Sequence, residues 1–300
     1  MISPIEKINK QGNDTIQIVI TTACSLFTCS NCTQLLPFRK DYLHMTVDCF
    51  WEAIRSVRGW PGVVALFGGN PCSHPQFEEI AKIMEREIPD QRKRGLWSND
   101  TLSHADTVRR VFYPNGRFNM NAHADPAAAK RISLALPGKL IPNSDRVGSR
   151  HAAILADYRD LGLTEAEWIA KREACDINQK WSGAIVEREG RAFAYFCEVA
   201  AAIDGVRGEN HGVAAMPGWW KSLMPVFSGQ VRNCCDRGCG VPLRIKGHED
   251  REDVYDVTPG WANTLPDTKA KIFFEVHQSV GEQTHESTDY MLHRAKKGKV

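Results

Sequence analysis

Hydrophobic positions in the first half of the chain follow two alternating rhythms. Residues 14–20 (Asp-Thr-Ile-Gln-Ile-Val-Ile) are β-branched and apolar at their end, the pattern of a strand covered on both faces. Residues 21–40 are polar and read as a loop. Over 46–57, Val47, Phe50, Trp51 and Ile54 recur at helical spacing, and Gly59 supplies a stop. The cycle then repeats. An apolar strand at 63–67 is followed by a helix that opens near Pro75 and turns Phe77, Ile80, Ala81, Met84 and Ile88 to one side. A short strand at 95–98 precedes a helix at 103–111. A fourth strand at 117–123 alternates Phe118, Met120 and Ala122 with Asn119, Asn121 and His123, and Asp125-Pro126 caps and opens another helix. Four strand–helix alternations within the first 135 residues predict an α/β fold on a parallel sheet with right-handed crossovers, open or closed into a barrel.

The rhythm then changes. A weak strand pattern lies near Leu140, and a helix is expected over 149–161, ending at Gly162. Another helix starts at Thr164, where Glu167 completes a capping box. Residues 181–196 read as a hairpin turning at Glu189-Gly190, and 197–203 open a helix. From Gly205 the chain is rich in Gly, Pro and Trp; the last fifty residues are polar, with one strand-like run at 272–276 and a basic, solvated end at 294–299. No internal repeat is visible. Trp181, Trp219 and Trp220 are either packing residues or the wall of a substrate pocket.

Composition narrows the function. Lys and Arg number 38 against 36 Asp and Glu, a net charge of +2, which argues against a dedicated nucleic-acid or membrane-surface binder. No apolar run approaches the roughly eighteen residues of a membrane span, and residues 1–12 carry no secretory signal, so a cytoplasmic protein is expected. The chain nevertheless has 10 cysteines. In a cytosolic protein these point to metal binding or redox chemistry more than to disulfides.

Cys24, Cys29 and Cys32 stand in C-x4-C-x2-C spacing just after the first strand. Thiolates on one tight loop can face a single point, and such soft ligands suit zinc or iron–sulfur clusters. A structural zinc closes with four ligands, and this loop has three cysteines. On a four-iron cluster, three would leave one iron open to a substrate or cofactor. In α/β folds the chemistry sits at the carboxyl ends of the strands, where this loop lies. Cys49 reads as a core residue, Cys72 as a turn or packing residue, and His44 and His74 as loop residues.

Three features together resemble the radical SAM superfamily. The triad follows strand one, Phe67-Gly-Gly-Asn-Pro71 with His74-Pro75 follows strand two in place of a Gly-Gly-Glu-Pro-like motif, and Gly95-Leu-Trp-Ser-Asn-Asp100 follows strand three. The first gap of the triad is one residue longer than usual, residue 70 is Asn instead of Glu, and Asn31 stands where many members carry an aromatic residue. The resemblance implies a partial, open parallel β/α barrel. It implies a 4Fe-4S cluster on Cys24, Cys29 and Cys32, with S-adenosylmethionine chelating the open iron. Gly68, Gly69, Asn70 and Pro71 would approach the methionyl group, while Ser98, Asn99, Asn119, Asn121 and His123 would contact ribose or substrate. An electron donor such as flavodoxin or ferredoxin is implied too. About a dozen residues precede the first strand, so no leader-binding domain is expected, which favours a small-molecule substrate, or a peptide bound without one.

Cys175, Cys197, Cys234, Cys235 and Cys239 form a second group around the hairpin. It resembles the twitch or SPASM extensions of radical SAM enzymes, which implies an auxiliary 4Fe-4S cluster on Cys175, Cys197, Cys239 and either Cys234 or Cys235. A structural zinc fits the same spacing. The expected organisation is a barrel over 1–165, a small cysteine-rich α+β extension over 166–245 and a polar segment over 246–300. The competing function is a zinc-stabilised binding protein without redox chemistry; an electron-transfer protein is a third reading.

Overall fold

The computed structural model of the chain describes residues 15–25, 29–39, 42–123, 125–141, 152–175, 182–222, 224–245, 254–262, 264–265 and 271–273. Strand β1 (Thr15–Thr21) is buried along its whole length. Helix α1 (Val47–Ser56) follows, with the Thr46 hydroxyl accepting from the Cys49 amide at 3.2 Å as its N-cap. The alternation continues through β2 (Val63–Gly68), α2 (Phe77–Glu87), β3 (Arg94–Ser98), α3 (Ala105–Phe112), β4 (Arg117–Met120) and α4 (Pro126–Ala135). Asp125 caps α4 through the amides of Ala127 and Ala128. Strands β1 to β4 are parallel, each beside its sequence neighbour, as the alternation predicts.

The sheet continues on the other side of β1. Strands β5 (Ser182–Arg188) and β6 (Arg191–Tyr195) form the expected hairpin, with Glu189 and Gly190 both at positive φ in its turn. Strand β5 lies parallel to β1, with Ile18 opposite Ile185, and β6 and β7 (Val213–Ala214) follow antiparallel. The hairpin expected in a separate extension thus joins the main sheet, whose order is β4-β3-β2-β1-β5-β6-β7. Its ends do not meet, so the sheet is open.

Strand alternation sorts the side chains. Ile16, Ile18, Ile20, Val64, Leu66 and Leu96 face one way and share a core with Phe50, Ile54, Ile80, Met84, Val108 and Val111 of the helices. Gln17, Ala65, Gly95 and Arg117 stand in register on the opposite, inner face. There Arg117 Nη1 donates to Thr15 Oγ1 at 3.3 Å. In a flat sheet β4 and β1 would lie about 14 Å apart, three strand spacings, so the sheet curls toward this face. Helix α5 (Glu165–Glu173) opens with the expected Thr164–Glu167 capping box. Helix α6 (Glu198–Arg207) covers the inner face, where Gln17 Nε2 donates to the Glu198 carboxylate.

Some expectations fail. Residues 152–157 are extended, not helical: Leu155 forms bridges to Cys239 and Val257, and only a turn at 158–162 remains. These long-range pairings override local helical preference; 149–151 lie outside the described residues. No strand forms at Leu140, although Ile141 N donates to Met120 O at 2.7 Å. Strand β4 stops at Met120, and His123 adopts φ 48°. The polar C-terminal segment contains a buried stretch: Tyr255, Asp256, Val257 and Trp261 are all sealed from solvent. Strand β8 (Val254–Asp256) pairs with β9 (Lys271–Phe273), the described part of the run expected at 272–276. Trp219 and Trp220 pack, against Phe227 and Trp60 respectively; Trp181 and the basic end lie outside the described residues.

Candidate metal centres

The chain leaves β1 at Thr21 and enters the triad loop at once. Thr21 Oγ1 is hydrogen-bonded to His44 Nδ1 at 2.9 Å and accepts from the Ala23 amide at 3.0 Å, which fixes the exit. The exit of β2 lies directly against it. Gly69 N donates to Thr21 O at 2.9 Å and Asn70 N to Ala23 O at 2.7 Å. A Cβ on Gly68 would come within 1.9 Å of Thr21 O, and one on Gly69 within 2.2 Å of Ala23 O. The glycines are therefore required by the neighbouring main chain, a reason different from the ligand approach that the motif implies. They clamp the base of the cysteine loop.

Cys24, Cys29 and Cys32 are half-buried on that loop. Asn99 Nδ2 donates to Cys24 Sγ at 3.2 Å, and Asn99 Oδ1 accepts from Ser25 at 3.4 Å. Burial pushes the Cys32 thiol up to about 11, and the nearby Cys24 adds to the shift. Asn70 is fully buried; its side-chain carbonyl meets the Ser98 hydroxyl, while its Nδ2 has no partner. Ser98 also contacts the Asp100 carbonyl, so its hydroxyl is spent on holding Asn70 and the strand end. Pro71 starts a buried 3-10 turn. Asn119 sits opposite Trp97 on the inner face, and Asn121 accepts from the His123 amide at 3.0 Å. His74 is no spare loop residue: it is buried, with Nε2 at 2.9 Å from Met45 O and Nδ1 accepting from Gln76 N.

Two residues at the triad escape sequence reasoning. Asn31 pairs with Asp256 in both directions, Nδ2 to the carboxylate at 2.6 Å and Asp256 N to Asn31 Oδ1 at 2.9 Å. Tyr255 packs edge-on to Phe38 at 4.7 Å, and its hydroxyl is buried without a hydrogen bond of normal geometry. Burial, then the charges of Cys32, Cys29 and Cys24, hold this phenol well above its ordinary range. Its only sequence signal is an aromatic in a polar stretch more than two hundred residues from the triad.

The second group converges in a different manner. A narrow cavity is lined by Cys175, Cys197, Cys234, Cys235 and Cys239, with Phe196, Val199, Ile203 and Val241 among its walls. Cys175 follows the end of α5 and Cys197 caps α6. Residues 231–235 form a π-helical turn, closed by Asp236 N to Val231 O at 2.9 Å. That turn carries the adjacent Cys234 and Cys235. Burial, and then Cys239, Cys197, Cys234 and Cys175, push the Cys235 thiol well above its usual range. Cys239 responds to burial and to Cys175 and Cys197. Cys234 lines the same cavity; burial raises it, and then Asp204, with Cys239 adding less. Among the described residues, no three cysteine sulfurs in either group lie within 4.8 Å of one another. Four thiolates on one zinc would sit about 3.8 Å apart, given Zn–S bonds of about 2.3 Å. Neither Cys49 nor Cys72 joins a group: Cys49 is buried beside Glu187, and Cys72 contacts Ser98.

No family model and no curated protein matches the sequence. Solved structures do. The fold is similar to BtrN in complex with AdoMet and 2-DOIA, at 12% identity and a TM-score of 0.46, covering 76% of this chain and 89% of that one. It is similar to Streptococcus suis SuiB bound to S-adenosylmethionine, at 14% identity and a TM-score of 0.38, covering 77% and 74% respectively. No helix among the described residues is long and apolar enough to cross a membrane.

Proposed function

We propose that this chain is a radical SAM enzyme acting on a small-molecule or peptide substrate. One observation carries the reading: three half-buried cysteines share a loop at the carboxyl end of β1, and none of the other seven stands with them. Their donor set, three cysteines on one loop, fits a 4Fe-4S cluster with one iron lacking a protein ligand. The buried Asn70 amide, whose Nδ2 has no hydrogen bond, fits a site completed by another group. Cys24, Cys29 and Cys32 would hold that cluster, which would supply the electron for reductive cleavage of S-adenosylmethionine and so the radical chemistry on substrate.

The chain's own residues do the rest. Gly68 and Gly69 hold the loop base against β2. Asn99 steadies Cys24 with an N–H donor. Asn70, kept in place by Ser98, and Asn119 and Asn121 on the curled inner face offer donors and acceptors to the bound cofactor. Helix α6 and the C-terminal stretch at 255–257 exclude water. Cys175, Cys197, Cys235 and Cys239 hold an auxiliary cluster in an apolar cage, with Cys234 outside the ligand set. Arg172, which lines that cavity, is paired with Asp236 through Nη1 and keeps a buried Nε without a hydrogen bond.

Anaerobic purification with assay of iron, sulfide and zinc tests the reading. Iron and sulfide near eight each per chain, with reductive formation of 5′-deoxyadenosine, are expected. A colourless protein holding zinc and no iron would overturn it.

A further inference from the structure

The wall between β1 and β5 carries positive charge without its counterpart. Arg188 ends β5 and points to the inner face, in step with Ala184 and Val186. Its Nε and Nη2 are sealed from solvent and make no hydrogen bond. Arg39 follows the 3-10 turn at Leu36–Phe38 and donates only from Nε, to Gln34 O at 3.3 Å. Burial, and then the charge of Arg188, push the Arg39 guanidinium down to about 10. Among the described residues no carboxylate acts on Arg39, whose other charged neighbours are the Cys32 thiol and the Tyr195 phenol.

Both head groups converge on one notch. A Cβ on Gly205 of α6 would lie 2.7 Å from Arg188 Nη2 and 2.7 Å from Arg39 Nη1. Glycine inside a helix is destabilising, and here it leaves space for two cations. Beside them lies a cavity of about 130 Å³ lined by Val19, Thr21, Arg39, His44, Val186 and Arg188. That is well above the 10–15 Å³ or so that a single water needs. Glu187 also borders it, but its carboxylate is held by the Thr46 amide at 2.6 Å; Glu189 is exposed at the hairpin turn.

Two half-buried like charges repel each other, and guanidinium nitrogens sealed from solvent normally carry partners. Among the described residues no carboxylate is paired with either head group, and guanidinium forks match the oxygens of carboxylates and phosphates. We propose that Arg39 and Arg188 bind the anionic group, a carboxylate or a phosphate, of the small molecule on which the chain acts. Assigning this anion to a substrate rests on the radical SAM reading; the anion site itself does not. The methionyl carboxylate of S-adenosylmethionine offers the same chemistry, and the experiment separates the two sources.

The reconstituted full-length protein, without reductant, is titrated with inorganic phosphate and with acetate at constant ionic strength, and its melting temperature is followed. Stabilisation beyond a chloride control is expected. It should fall about tenfold in apparent affinity in R188K, which keeps the charge and loses the fork, and vanish in R188Q and R39Q. Equilibrium dialysis then measures S-adenosylmethionine and its decarboxylated analogue. Unchanged S-adenosylmethionine affinity in R188Q assigns the site to substrate. If R188Q binds S-adenosylmethionine at least tenfold more weakly and no longer distinguishes the analogue, the methionyl carboxylate occupies the site and the substrate assignment falls. If R188Q does not fold, judged by circular dichroism and iron content, G205A crowds the notch with both charges retained and must weaken anion binding. Phosphate and acetate that stabilise the wild type no more than chloride does would overturn the anion site. Because no cleavage is measured, that failure leaves the enzyme reading standing, and absence of cleavage leaves the anion site standing.

Discussion

The two cysteine centres are built from opposite materials. The triad lies within one loop, its sulfurs half-buried, with the polar neighbours Thr22, Ser25, Asn70 and Asn99 around it. The second group gathers Cys175, Cys197, Cys234, Cys235 and Cys239 from three separate stretches of chain around a cavity with mostly apolar walls. A local loop is closed at small entropic expense and can present its sulfurs to a ligand from outside. A long-range cage ties α5, α6 and the π-helical turn together and excludes water. The first arrangement suits chemistry with a visiting molecule, and the second suits a fixed, sealed group.

Substitutions should separate the two sharply. Changing Cys24, Cys29 and Cys32 together to Ala should abolish formation of 5′-deoxyadenosine while lowering apoprotein stability by no more than about 1 kcal/mol. Persistent cleavage would show that the triad is not the catalytic centre. The next effect divides neighbours. C235A should lose about half the iron and at least about 2 kcal/mol of holoprotein stability, whereas C234A should keep its iron and lose about 1 kcal/mol through a small cavity. Equal iron contents in the two variants would erase the distinction drawn at the π-helical turn.

A gentler probe is G69A, whose new Cβ meets the Ala23 carbonyl oxygen 2.2 Å away. It should destabilise the protein by about 1–3 kcal/mol and lower iron at the triad while sparing the cage. Iron lost equally from both centres would show that the clamp at 68–70 is not specific to the triad. The smallest effect concerns cysteines belonging to neither centre. Burial pushes Cys72 up to about 12 and raises Cys49 as well. Unfolded thiols ionise near 8.5, so folding keeps protons that the unfolded chain releases. Stability is then full below about pH 8 and falls as pH rises, by up to about 1.4 kcal/mol per unit for each thiol. Urea midpoints of the apoprotein at pH 8 and 10 check this, and C72A should flatten the slope.

Much of this architecture is legible in the sequence for a physical reason. β1 to β4 and their helices are each specified by local periodicity, and each pairs with its sequence neighbour. The triad is legible because it too is local. Residues 152–157 mislead because a helix-like pattern is overruled by Leu155 pairing with Cys239 and Val257. The π-helical turn that carries Cys234 and Cys235 is invisible beforehand because long-range packing, not a local pattern, sets it. Tyr255 and the Arg39–Arg188 pair carry no motif at all. Burial and the absence of a partner define them, and both are properties of the folded chain.

The pairing of Leu155 has a consequence for how the protein matures. It joins Cys239 of the cage to Val257, and Val257 follows the Asp256 that grips Asn31 beside the triad. Trp261 then closes on the carbonyl of Gly238 at 2.7 Å. The walls of both centres thus await the same late-synthesised stretch of polypeptide. On a ribosome adding about 5–20 residues per second, the parallel sheet has many seconds to form before residues 255–261 emerge. Enclosure of both cysteine groups is therefore a closing event in the life of the nascent chain, and a premature stop near residue 250 would leave them open on an otherwise assembled sheet.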